Sequence, residues 1–170
     1  MNKISIQYYK SPVGEILLGS YDGKLCLADW KYRRMRTAID ARIQKGLKAE
    51  YVEQGSEVIE KTIVQMQEYF AGEREVFDIP LLMVGTDFQR SVWDGLIKIP
   101  YGTTASYLEL SKNIGNEKAV RAVASANGAN SISIMIPCHR IIGSNGDLVG
   151  YAGGLPAKKK LLELESNLFS

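Results

Sequence analysis

Near the start of the chain, apolar residues recur at the two-residue period of strands. Ile4-Ser5-Ile6 and Ile16-Leu17-Leu18 flank Ser11-Pro12-Val13-Gly14, and an Asp22-Gly23 turn precedes Leu25-Cys26-Leu27. This pattern predicts a β-meander. From Lys31 to Lys45 the spacing lengthens to four, with Met35, Ile39 and Ile43, which predicts a helix whose arginines form a solvated face. Residues 46–55 read as a loop. Ile59, Ile63, Met66 and Phe70 then give a clean helical stripe across Glu57 to Phe70, closed by Gly72. Residues 76–84 read as a strand or extended connector around Pro80.

The pattern changes at Gly85. Thr86 and Gln89 have the spacing of a capping box ahead of Phe88, Val92 and Leu96. Ser106 and Glu109 repeat it ahead of a short helix that ends at Gly115. Asn116 is a good N-cap for a further helix from Glu117 to about Asn127. Two short helices joined by a Gly-Asn turn make a helix-turn-helix candidate. In the second helix Val120 and Val123 supply a narrow buried stripe. Ala119, Ala122 and Ala126 form a face without bulk, beside Lys118, Arg121 and Ser125. Such a face serves either close helix packing or close approach by a bulky, negatively charged backbone, and the helix alone leaves both open.

Further on, Ser131-Ile132-Ser133-Ile134 alternates like a half-buried strand, which Pro137 stops. Asn145-Gly146 predicts a hairpin between Ile141-Ile142 and Leu148-Val149. Pro156 suits the first turn of a last helix. Lys158, Lys159 and Lys160 there oppose the helix dipole and read as a phosphate site at a helix N-terminus; the plainer alternative is a surface lysine cluster. The expected domain boundary separates residues 1–84 from residues 85–170.

Composition narrows the class without choosing a function. A chain of 170 residues, 45% hydrophobic and 24% charged, suits a soluble globular protein of one ordinary domain or two small ones. No apolar run approaches a membrane span and Met1 to Lys10 has no signal-peptide core, so no membrane role and a cytoplasmic location are expected. Two cysteines fit a reducing compartment. Without a Cys-x-x-Cys pair or a second histidine, no metal site is expected. Of 21 basic and 19 acidic residues, 12 and 12 precede Thr86 and 9 and 7 follow, so the net charge of +2 is too small to argue for nucleic acid.

The candidate chemistry lies in Ile136-Pro137-Cys138-His139-Arg140, where a thiol adjoins the only histidine. A buried structural cysteine beside a satisfied histidine is the plain reading, and a reactive pair at an element end the sharper one. Cys26, between two leucines, reads as core.

Ile136-Pro137-Cys138-His139-Arg140, preceded by Asn130 and followed by Gly150-Tyr151-Ala152-Gly153-Gly154, resembles the O6-alkylguanine-DNA alkyltransferases, over about residues 86–166. The resemblance implies a small α/β ribonuclease-H-like domain followed by a mostly helical domain with a helix-turn-helix. It implies direct-reversal DNA repair, in which Cys138 takes the alkyl group of O6-alkylguanine, most simply methyl, once per molecule. His139 is then the base, acting through a water, with Glu165 to orient it. Tyr107 donates to the departing guanine, and Asn130 is the hinge between helix and active-site segment. Tyr151, Ala152, Ile141 and Lys158 belong to the base pocket. Arg121 is the finger that fills the duplex when the base flips, with Ala119, Ala122, Ser125, Ala126 and Asn116 alongside the minor groove. The thiolate is the reactive form, so an imidazolium or a helix N-terminus near Cys138 favours it. The implied partner is double-stranded DNA carrying the lesion, bound by a monomer without cofactors. Ser131 stands where many relatives have proline, and Ala152 where some have serine.

Three rivals remain to be weighed. An alkyltransferase-like lesion-binding protein lacks the acceptor cysteine that this chain has. A helix-turn-helix transcription factor needs base-reading side chains, which an alanine-rich helix does not offer. A thiol hydrolase or redox enzyme would turn over, or would need a partner cysteine near Cys138.

Overall fold

The computed structural model describes residues 2–166. They form two compact units that divide between Gly85 and Thr86. In the first, strands β1 (Asn2–Ser11), β2 (Gly14–Tyr21) and β3 (Lys24–Trp30) form the expected antiparallel meander. Helix α1 (Arg36–Leu47) leads into β4 (Ala49–Glu53), and α2 (Glu57–Phe70) follows. The sheet order is β3-β2-β1-β4, with β4 parallel to β1.

Strand β4 lies where a loop was expected. Only Ala49 of its five residues is buried, so no apolar alternation announces it; backbone pairing with β1 holds it in place. Helix α1 begins five residues later than expected, and Met35 is exposed at its N-cap position, while Ile39 and Ile43 face the core. That core gathers Ile4, Leu17, Leu27 and Ala49 around Cys26, whose thiol burial pushes up to about 12, well out of reach of thiolate chemistry at neutral pH. The connector after α2 is extended, and Pro80 and Leu82 hydrogen-bond through their backbones to Leu25.

Of the arginines around α1, only Arg34 is exposed, so they do not form the expected solvated face. Arg33, itself buried, donates to both oxygens of the fully buried Asp29 at 3.1 Å, and Arg36 reaches the same carboxylate at 3.0 Å. Arg36 also pairs with Asp40, which accepts from the Tyr51 hydroxyl at 2.7 Å. Charge periodicity could not reveal this, because the acid that draws the arginines inward sits on β3.

The second unit is helical: α3 (Asp87–Ile97), α4 (Tyr107–Asn113), α5 (Val120–Gly128), a 3₁₀ turn at Cys138–Arg140, and α6 (Leu155–Ser166). Both capping boxes form, each satisfying backbone donors that a helix start leaves open. Helices α4 and α5 are the expected helix-turn-helix pair. However, α5 starts at Val120, because Asn116 to Ala119 form a turn in which the Asn116 carbonyl, not its side chain, is the acceptor. Trp93 of α3 is buried and donates its indole N–H to the Ala126 carbonyl at 2.9 Å, locking α3 to α5. Residues 141–149 make a turn at Asn145 and Gly146 but no paired strands around it, so the expected hairpin is a loop. Among the described residues, no helix is long and apolar enough to cross a membrane and no cluster of metal-ligating side chains occurs.

Helices α3 and α4 meet at Gly95, where an added Cβ would lie 2.6 Å from Ile114 and 3.1 Å from Leu110. On helix propensity alone, Gly95→Ala should stabilise by about 1 kcal/mol. Overpacking reverses the sign here: the variant should lose about 1–3 kcal/mol in urea unfolding. A gain in stability would show that this contact is looser than described.

Candidate active site

The segment expected as a half-buried strand is wholly buried and folded on itself. Ser131 to Ile141 lie in the interior, and Ile136 N–H returns to the Ile132 carbonyl at 3.0 Å. Ile134 takes a φ of +74°, a left-handed conformation that costs a β-branched residue about 1–2 kcal/mol. Alternation misled because serines can be buried when the backbone turns: Ser131 and Ser133 are both inside. Pro137 does end the segment, and the chain enters the 3₁₀ turn that carries the thiol.

Asn130 holds this turn by both ends of its amide. Its Oδ1 accepts from the Ile132 N–H at 3.0 Å, while Nδ2 donates to the Ile136 carbonyl at 2.9 Å and to Cys138 Sγ at 3.2 Å. Cys138 is only 5% exposed. A donor on sulfur favours the thiolate, since hydrogen bonding to a charged form stabilises it.

His139 is fully buried, with Nε2 at 2.6 Å from Glu165 Oε2. Arg140 grips the same carboxylate through Nε at 2.7 Å and Nη2 at 3.1 Å, and its Nη1 donates to the Ile99 carbonyl at 2.6 Å. Burial works to raise the Glu165 carboxyl, but the hydrogen bonds from His139 and Arg140 prevail and hold it down to about 2. Burial lowers His139 below its ordinary 6.5, with Arg140 and Lys158 adding to that and Glu165 opposing it. At neutral pH the pair is therefore a carboxylate and a neutral imidazole. Nε2 then carries the ring proton and donates it to Glu165, and Nδ1 keeps its lone pair. Nδ1 is buried and has no hydrogen-bond partner among the described residues. Sequence reasoning gave Arg140 no task; a lone charge within the apolar run from Ile132 to Ile142 was the available signal.

The Tyr107 hydroxyl accepts from Asn127 Nδ2 at 3.3 Å. Burial pushes the Tyr107 phenol up, as does charge at Cys138, while the Asn127 hydrogen bond lowers it. Tyr151 sets its ring edge-on to His139 at 6.4 Å between centroids, with Ala152 half-buried beside it in sequence. Ile141 is fully buried, and its carbonyl accepts from Lys158 Nζ.

Lys158 is not part of a surface phosphate site. It is 1% exposed and also donates to the Val149 carbonyl at 3.0 Å, clamping both ends of the 142–148 loop; Lys159 and Lys160 remain at the surface. Carbonyls supply the partners that made this lysine's burial tolerable, and no side-chain pattern forecasts them. Nor does Ala126 belong to an outer face, being 3% exposed under Trp93. Arg121, Ala122 and Ser125 do stand exposed on α5, Ala119 is half-buried, and Asn116 is exposed in the preceding turn.

Removing the charge of Glu165 should be costly and pH-dependent. A carboxyl held at about 2 rather than 4.5 contributes stability that is complete above 4.5 and lost as pH falls towards 2. His139 behaves alike in sign: neutral in the folded state, it adds a loss that starts as pH falls through 6.5. Glu165→Gln should lose about 3–5 kcal/mol at neutral pH, because Arg140 is left uncompensated. Thermal unfolding followed down to about pH 3 should show the gap to wild type narrowing as pH falls below 4.5. A constant gap would contradict the ionised Glu165.

Two family models together span nearly the whole chain. The 6-O-methylguanine DNA methyltransferase, ribonuclease-like domain, matches residues 4–83, and the 6-O-methylguanine DNA methyltransferase, DNA binding domain, matches residues 87–167. A methylated-DNA–protein-cysteine methyltransferase of Methanosarcina acetivorans is 44% identical over 160 residues, covering 94% of this chain and 96% of the relative. One from Mycobacterium bovis is 53% identical over 103 residues, 61% of this chain and 62% of the relative. Mycobacterium tuberculosis OGT, solved in complex with DNA, superposes with a TM-score of 0.81 at 38% identity, covering 97% of this chain and 93% of that one. Sequence, fold and the buried cysteine turn thus agree: this chain belongs to the 6-O-methylguanine DNA methyltransferase family.

Proposed function

We propose that this protein repairs DNA by direct reversal, moving the alkyl group of O6-alkylguanine onto Cys138. One observation carries the assignment of roles: His139 Nε2 is committed to Glu165 at 2.6 Å, which leaves Nδ1 as a basic lone pair in the same turn as the thiol. Through a water, Nδ1 takes the Cys138 proton. Asn130 Nδ2, at 3.2 Å, steadies the sulfur as charge develops. The Sγ–carbon bond forms as the carbon–O6 bond breaks, in line, with the bonding pair leaving on guanine. Tyr107 offers its hydroxyl to that departing base. A thioether has no comparable leaving group, so the thiol is not regenerated and each molecule acts once.

The O6 carbon is out of reach within the base stack, so the nucleotide must be extruded. Tyr151, Ala152 and Ile141 would line the pocket that receives it, and Lys158 would hold the loop that closes the pocket. The exposed face of α5, with small residues Ala122 and Ser125, suits the minor groove, where close approach favours lack of bulk. Arg121 projects from that face and would occupy the space left by the flipped base. A monomer suffices for this geometry, since one helix-turn-helix and one pocket serve one lesion.

Mixed with a short duplex carrying O6-methylguanine, the protein should gain the mass of one methylene, on Cys138 alone, saturating at one per molecule. Cys138→Ala should bind the duplex without gaining mass. Tight binding with no gain by the wild type would leave a lesion-recognition protein instead. Arg121→Ala should slow transfer about tenfold or more in a fully paired duplex, and much less where the lesion faces an abasic site and flipping is cheap. Equal slowing on both substrates would remove Arg121 from the flipping step.

A further inference from the structure

Asn127 has no task in the mechanism above, yet it touches one of its parts. It lies on the inward face of α5, 7% exposed, and its Nδ2 donates to the Tyr107 hydroxyl at 3.3 Å. Its Oδ1 is buried with no hydrogen-bond partner among the described residues. A phenol oxygen carries one proton and accepts through its lone pairs. A donor on the lone-pair side leaves the phenolic hydrogen uncommitted, and the Tyr107 hydroxyl makes no other hydrogen bond among the described residues. Burial keeps the phenol neutral, so the proton is present to be offered. Turned the other way, the amide oxygen would accept that proton and satisfy itself. The fold instead leaves a buried acceptor open, which is costly to a protein interior.

We propose that Asn127 is a positioning residue for alkyl transfer: by occupying a lone pair of the Tyr107 oxygen, it directs the phenolic O–H at the departing guanine. The proposal rests on the reading of Tyr107 as the donor to the leaving base. In the transfer the Sγ–carbon bond forms, the carbon–O6 bond breaks, and the electron pair stays on guanine, whose ring spreads the charge. The proton released by Cys138 passes to His139 and on to solvent, and guanine finally takes one proton on a ring nitrogen, so the exchange balances. While charge develops, Tyr107 donates a hydrogen bond to it. Asn127 strengthens that bond, because a donor on the phenol oxygen polarises its O–H.

The test is a double-mutant cycle on single-turnover transfer from an O6-methylguanine duplex, with duplex affinity and thermal stability measured in parallel. Asn127→Leu should slow transfer about five- to tenfold, the loss of one orienting hydrogen bond, with duplex affinity unchanged. Asn127→Asp should slow it further, since a carboxylate draws the phenolic proton to itself. Asn127→Ser, which keeps a small donor, covers the case in which the leucine variant does not fold. All these effects should vanish in a Tyr107→Phe background. Wild-type rates for Asn127→Asp, or undiminished effects alongside Tyr107→Phe, would overturn the proposal. If Tyr107→Phe alone transfers at the wild-type rate, Tyr107 is not the donor, and the role of Asn127 falls with it. That outcome is distinct from a slow Tyr107→Phe whose effect merely multiplies with that of Asn127.

Discussion

A single buried carboxylate fixes the orientation of the histidine in the reactive turn. Glu165 lies between an imidazole and a guanidinium, and only the guanidinium needs to be charged. Glu165 favours a proton on the His139 ring, but burial outweighs it, with Arg140 and Lys158 adding to the effect of burial. Arg140 answers the carboxylate directly and burial keeps the ring neutral, so Glu165 orients His139 without protonating it. Ion pairs so deep are poor sources of net stability, because desolvation consumes most of the attraction. Their value here lies in fixing which nitrogen of the ring is free.

The same contacts join the parts that must move as one. Arg140 reaches the Ile99 carbonyl and lies over the Tyr101 ring, while Tyr101 donates to the Leu164 carbonyl at 3.3 Å. The end of α3, the 3₁₀ turn and α6 are thereby tied together. On the other side, Asn130, two residues past the end of α5, pins the turn through both amide atoms. The helix that presents Arg121 and the turn that presents Cys138 are therefore joined by residues 129–137, with Asn130 fastening the two. Strain at Ile134 is the cost of folding so short a connection back into the interior.

Features set by local chemistry were legible in the sequence. Both capping boxes, the stripe of α2 and the β-meander depend on residues within a few positions of one another, and each formed. The family was legible from the cysteine motif and its flanking residues. What escaped was set by distant partners. Asp29 drew Arg33 inside and left Arg36 half-buried, two carbonyls drew Lys158 inside, and Trp93 claimed the Ala126 carbonyl. The serines at 131 and 133 mimicked an exposed strand face, though the whole segment is enclosed. Arg140 shared the cysteine motif, but its task depended on Glu165, which lies 25 residues further on.

Because the chain has one histidine, its ring state can be read without ambiguity by nitrogen-15 NMR of the unreacted protein. At neutral pH the account predicts a neutral ring protonated on Nε2, with an unprotonated Nδ1, and loss of that pattern in Glu165→Gln. A doubly protonated ring, or a proton residing on Nδ1, would contradict the assignment of His139 as the base that prepares Cys138.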